Sequence, residues 1–136
     1  MAAAEDLLAN HSGNYAQQGA IDWSVLDALA VIQKPGTQDL RARYMTLFLK
    51  SSLPLMEGIK DAIIASDRQL LTMSAHTLKT TCLMIGAIKL AAICAELEQV
   101  GRDKAFQEAG NLPMLALEQY AAVTAAFREA LQGNGK

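Results

Sequence analysis

Residues 66–101 read SDRQLLTMSAHTLKTTCLMIGAIKLAAICAELEQVG, and one periodicity runs through the first half of them. At about 100° per residue, Leu71, Ala75, Leu78, Cys82 and Ile85 fall on one narrow stripe, the face a helix buries. Gly86 breaks the run, and Ala87 starts a second one that buries Leu90, Ile93, Cys94 and Leu97. The stretch therefore predicts two antiparallel helices meeting at Gly86. His76 points well away from the stripe, towards the side shared by Thr72, Met73, Lys79, Thr80 and Leu83. A histidine on the outside of a core-forming helix is the feature that any account of function must use.

Two helices with one apolar face each need further partners, and the 136 residues are enough for one domain with a single core. Aliphatic and alanine content is high and aromatic content only 5%, which suits packed helices better than a sheet. Net charge is −2 with no basic run, which speaks against nucleic acid as a partner. The opening MAAAEDLLAN has no positive start and no long apolar segment, and nothing further along spans a membrane. The expectation is a soluble, cytoplasmic chain without direct membrane contact, or a piece of a larger membrane-bound protein. Cys82 and Cys94 read as buried, reduced thiols. Two Cys and two His at these spacings do not make up a zinc site.

Residues 1–21 carry little periodicity and read as a mobile lead-in, with His11 as a solvated loop residue. Asp22 can cap a short helix carrying Trp23, Leu26, Leu29 and Ala30, which stops before Lys34-Pro35-Gly36. Thr37 is the expected cap of the next helix, where Leu40, Tyr44, Leu47 and Phe48 share a face. Ser51-Ser52-Leu53-Pro54 interrupts it, so a new helix is expected from Leu53, burying Leu55, Ile59, Ala62 and Ile63; a kinked continuation is the alternative. Ser66 with Gln69 matches a capping box that opens the histidine helix. Gly101-Arg102-Asp103 either ends the partner helix or weakens its last turn. Asn111-Leu112-Pro113 opens a final helix with Leu117, Tyr120, Thr124, Phe127 and Leu131 along one side, and 133–136 reads as a disordered tail. The fold class is all-α: an antiparallel four-helix bundle over 22–132 with short additional N-terminal helices.

Ala75-His76-Thr77-Leu78-Lys79, followed by Gly86-Ala87, Leu90, Cys94 and Leu97-Glu98, resembles the histidine-containing phosphotransfer (HPt) domains of multistep phosphorelays. Residues 40–67 also look like that family's lead-in helices. Thr80 departs from the pattern, standing where the family usually has glycine. The resemblance implies that His76 is the phosphorylated residue and Lys79 its supporting cation. It also implies partners of two kinds, response-regulator receiver domains and a hybrid histidine kinase, with Mg2+ and the catalytic residues in the partner. This chain would then be a monomeric carrier with no cofactor, not an enzyme on its own.

The residues permit that chemistry. A neutral imidazole is a good nucleophile near neutral pH. Lys79, one turn on, is within reach of a phosphate on His76 and would screen its charge. The turn at Gly86 sets Glu98 roughly opposite His76. There it either accepts a proton from Nδ1 and orients the ring, or is a solvated glutamate paired with Arg102. Met73 and Leu83 flank the histidine and, with Thr72 and Thr80, form the expected docking patch; the family docks receiver domains there. Threonine at position 80 can fold its hydroxyl back onto the carbonyl of His76 or Thr77, leaving its methyl outward. Two other readings compete. One is a non-phosphorylated helical adaptor that keeps the fold and binds a receiver. The other is a kinase dimerisation pair, which needs an ATP-binding domain and a second chain.

Overall fold

The computed structural model describes residues 19–32 and 39–133; His11, Lys34, Pro35, Gly36, Thr37 and the end of the tail lie outside them. Among the described residues there are five α-helices: α1 (Trp23–Ile32), α2 (Leu40–Ala65), α3 (Arg68–Ile85), α4 (Ile88–Asp103) and α5 (Leu112–Gly133). A 3-10 helix, Phe106–Ala109, joins the last two. Helices α2 to α5 pack in sequence, and α5 returns to α2 to close an antiparallel ring, with α3 against α4 the largest contact. This is the all-α four-helix bundle with an added N-terminal helix. Helix α1 packs on α2 and α3.

The core is the set of apolar stripes turned inward. Leu71, Ala75, Leu78, Cys82 and Ile85 are all buried, as are Leu90, Ile93, Cys94 and Leu97 facing them. Phe127 of α5 meets Phe48 of α2 edge to face at 5.6 Å and Trp23 of α1 at 5.9 Å, so three helices share one aromatic anchor. Burying a side chain of that size contributes about 2–3 kcal/mol. Ile21, at the end of the expected lead-in, is also buried.

Helix ends differ from the sequence reading in ways that local chemistry explains. Asp22 Oδ1 accepts from the Ser24 amide at 3.1 Å and caps α1. Helix α2 begins at Leu40 with Asp39 as its cap, accepting from the Arg41 amide at 2.9 Å, rather than with Thr37. It then continues through Pro54, the alternative the sequence left open, instead of starting anew at Leu53. The buried residues Met45, Phe48, Ser52, Ile59 and Ala62 form one continuous stripe across the proline. Packing of that stripe outweighs the single hydrogen bond the proline cannot make. Ser52 Oγ is tied across the bundle to Tyr120 Oη at 2.9 Å. Leu47 and Leu117 are exposed, because the buried stripes pass through Met45 in α2 and through Ala116 and Val123 in α5.

Ser66 does not cap the histidine helix. It ends α2 in the left-handed region (φ 53°), and Asp67 caps α3 instead, accepting from the Leu70 amide at 3.0 Å. Two adjacent cap-type residues make the one-position shift easy, and the charged carboxylate suits the positive helix N-terminus. Gly86 closes α3 at φ 84°, a conformation glycine adopts without strain. Its carbonyl accepts from the Asp22 amide at 2.8 Å, so the N-terminal segment sits directly on the turn. At the other end, Arg68 Nη1 donates to the carbonyls of Val100 at 3.0 Å and Gly101 at 3.3 Å. Its guanidinium also lies 5.2 Å from the centre of the Phe106 ring. The first residue of α3 thereby caps the last turn of α4.

Candidate functional site

His76 lies ten residues before the Gly86 turn and Glu98 twelve after it, which brings both to the middle of the α3–α4 pair. Gly101 lets the two helices come close there: a Cβ on it would stand 2.9 Å from the backbone nitrogen of Thr72. Across this contact Glu98 Oε2 stands 3.0 Å from His76 Nδ1. Lys79 Nζ donates to Glu98 Oε1 at 2.7 Å. Arg102 donates to Oε2 through Nη2 at 2.6 Å and through Nε at 3.2 Å. The carboxylate is the hub of the cluster.

Exposure separates the parts. The Glu98 side chain is 5% exposed and the His76 side chain 54%. Burial would push the Glu98 carboxyl up, but hydrogen bonds from Lys79, Arg102 and His76 outweigh it and hold the group down at about 2. Glu98 is therefore a carboxylate at neutral pH and only accepts. A neutral His76 must donate from Nδ1, which leaves the lone pair on Nε2. One carboxylate set against two cations also leaves a positive balance beside the ring, a setting that favours an anion.

The structure thus brings His76, Lys79 and Glu98 together. The reading of Glu98 as a solvated glutamate fails on its burial, although its pairing with Arg102 is present. Lys79 is engaged by Glu98 rather than pointing free beside the imidazole. Met73 and Leu83 are exposed. Thr80 is exposed too, and its Oγ1 donates back to the His76 carbonyl at 3.2 Å. Thr72 is half-buried; its Oγ1 donates to the Arg68 carbonyl at 2.9 Å and it borders Gly101, so it belongs to the helix contact as much as to the outer face. Met84, next to Leu83, is exposed as well. One residue of the cluster was missed as a member of it from sequence. Arg102 figured only as a competitor for Glu98, and its spacing of four from Glu98 was the signal.

Elsewhere, Cys82 and Cys94 are free and buried. Burial pushes both thiols up, Cys94 to about 12 despite the nearby Lys79 charge, so neither is a thiolate near neutrality. An open apolar groove of about 700 Å³ between α2 and α5, lined by Met56, Ile63, Met114 and Tyr120 among others, shares no residue with the His76 cluster. Among the described residues no His/Cys/Asp/Glu group could hold a metal, and no helix is long and apolar enough to cross a membrane.

Known proteins share sequence and fold with this chain. Over 67 residues, 49% of this chain, the sequence is 33% identical to the sensor protein TorS of Escherichia coli K12, and the matched segment spans 7% of that protein. The fold is similar to the crystal structure of histidine-containing phosphotransfer protein B (HptB) from Pseudomonas aeruginosa PAO1. There the TM-score is 0.75 at 27% identity, covering 84% of this chain and 96% of that one. The Hpt domain family itself matches residues 43–135, which hold nearly all of the four-helix bundle and the whole His76 cluster; this chain belongs to the Hpt domain family.

Proposed function

We propose that this chain is a phosphorelay intermediate that accepts a phosphoryl group on His76 from the aspartyl phosphate of one receiver domain and passes it to the aspartate of another. The single observation that carries the reading is the 3.0 Å contact between His76 Nδ1 and a buried, ionised Glu98, on a ring otherwise open to solvent. The Nε2 lone pair attacks phosphorus, the bond from phosphorus to the donor carboxylate oxygen breaks, and the aspartate departs as a carboxylate. Nδ1 keeps its proton throughout, so the ring gains positive charge as the N–P bond forms. Glu98 faces that charge from a site poor in water, where electrostatic stabilisation is strongest. Return of the group to a second receiver reverses each step.

Lys79 supports the phosphoryl group by leaving Glu98 Oε1 for a phosphoryl oxygen. Thr72, Met73, Thr80, Leu83 and Met84 form the surface on which a receiver docks. Mg2+ and the reacting aspartates belong to the receiver, and the carrier works as a cytoplasmic monomer, on its own or as a module of a hybrid kinase. A non-phosphorylated adaptor would have no use for the buried carboxylate beneath an exposed imidazole. The test is labelling from a radiolabelled phospho-receiver. Wild type should acquire acid-labile label, whereas His76→Gln should fold normally and acquire none. Label on the mutant at the wild-type rate would remove His76 from the reaction.

A further inference from the structure

Glu98 Oε2 is shared between two residues. It faces His76 Nδ1 at 3.0 Å while accepting from Arg102 Nη2 at 2.6 Å and Nε at 3.2 Å. Oε1 accepts from Lys79 at 2.7 Å. The terminal torsion of glutamate is broad, so an untethered carboxylate could rotate and offer Nδ1 a different oxygen or none. Lys79 is a flexible point charge reaching over from α3. Arg102 sits one turn from Glu98 on the same helix and presents a planar group with two N–H donors to one oxygen.

The division of labour follows from the reaction. If Lys79 leaves Glu98 for a phosphoryl oxygen, a cation must remain on the buried carboxylate, because an unpaired buried charge is costly. Arg102 is the residue placed to do this: it holds Oε2 through two donors, and half its side chain is exposed.

We propose, resting on the assignment of His76 as the phosphoryl acceptor, that Arg102 is a positioning residue for the transfer. It acts through Glu98, fixing Oε2 under Nδ1–H so that the lone pair stays on Nε2, and it frees Lys79 to follow the phosphoryl group. It touches neither the phosphoryl group nor the receiver.

The experiment measures labelling of His76 by a phospho-receiver and, separately, by phosphoramidate, which needs no docking surface. The proteins are wild type, R102A, R102K, E98A and the double variant R102A/E98A, and 15N spectra of the imidazole report the tautomer. R102A should slow labelling by both donors about tenfold, the scale on which groups that orient a reacting side chain act. The imidazole nitrogens should shift from a pure Nδ1–H form towards a mixture. R102K should recover part of the rate, since the charge returns without the two-point grip. In the E98A background R102A should cost nothing more. A wild-type rate in R102A overturns the proposal. So does a loss confined to the receiver, which would make Arg102 a docking residue, and so does an undiminished loss in the E98A background. If His76→Gln still accepts label, the carrier reading itself fails; if that variant is inert while R102A is normal, only the role of Arg102 falls.

Discussion

Replacing Gly101 with alanine adds one methyl group where α4 lies close against α3. That methyl carbon would stand 2.9 Å from the Thr72 backbone nitrogen and 3.2 Å from the Arg68 carbonyl oxygen, and would also meet Thr72 Oγ1. Ordinary contact begins near 3.5 Å, so the helices must part by about 0.5 Å. Two terms oppose each other. Alanine is the better helix former by about 1 kcal/mol, while forced repacking of a tight contact costs about 1–3 kcal/mol. The obstacle is backbone, which cannot rotate aside, so the second term wins and the expected net loss is about 1 kcal/mol. Glu98 lies one turn before Gly101, and the same displacement stretches its 3.0 Å contact with His76 towards the limit of a hydrogen bond. Urea unfolding followed by circular dichroism, paired with labelling from a phospho-receiver, measures both effects. Gly58→Ala is the control, because a Cβ there meets the Ser74 hydroxyl at 2.5 Å, and a side-chain hydroxyl can turn away. Its loss should be smaller and its transfer rate normal. If Gly101→Ala is instead more stable than wild type by the propensity term and transfers normally, the spacing of α3 and α4 is not set at this contact.

Lys79→Ala should slow transfer and shorten the lifetime of phosphohistidine. Its bond to a buried carboxylate makes a stability loss of about 1–2 kcal/mol the expectation in denaturant titration, more than an exposed lysine would give. Thr80→Trp should block labelling by a receiver while phosphoramidate still labels His76, and Thr80→Gly should cost a few tenths of a kcal/mol in helix stability without slowing transfer. The Glu98 carboxyl lies below its unfolded value of 4.5, at about 2, so its contribution to stability is complete above the unfolded value. It is lost as pH falls from 4.5 towards 2. Unfolding free energy measured across that window should fall more steeply in wild type than in Glu98→Gln, and parallel curves would contradict the assignment.

The paired stripes from Leu71 to Ile85 and from Leu90 to Leu97 were legible because each lies within one helix and repeats at the helical period. The outward azimuth of His76 came from the same arithmetic. Pro54 misled because its local cost is plain in sequence, whereas the stripe that carries α2 across it is completed by α5, through contacts such as Ser52 with Tyr120. Ser66 and Asp67 are both good caps, and only the left-handed turn at Ser66 decides between them. The three-way engagement of Glu98 was out of reach for a different reason. Helical period places a residue on a face, but which nitrogen meets which oxygen depends on how closely two helices approach, and Gly101 reveals that only once Thr72 is seen beside it.

His76 stands on an outward helix face, with Met73, Thr80 and Leu83 exposed around it, and not at the bottom of a cleft. One imidazole reacts with one receiver at a time. On the function proposed above, donor and acceptor receivers occupy the same patch in turn, and a complex holding both at once on His76 is not expected. Any unphosphorylated receiver that fits the patch competes with the donor, and raising its concentration slows loading even as it hastens unloading. Flux through such a carrier peaks at an intermediate ratio of the two receivers, and the direction of transfer follows their relative abundance and the stability of their aspartyl phosphates.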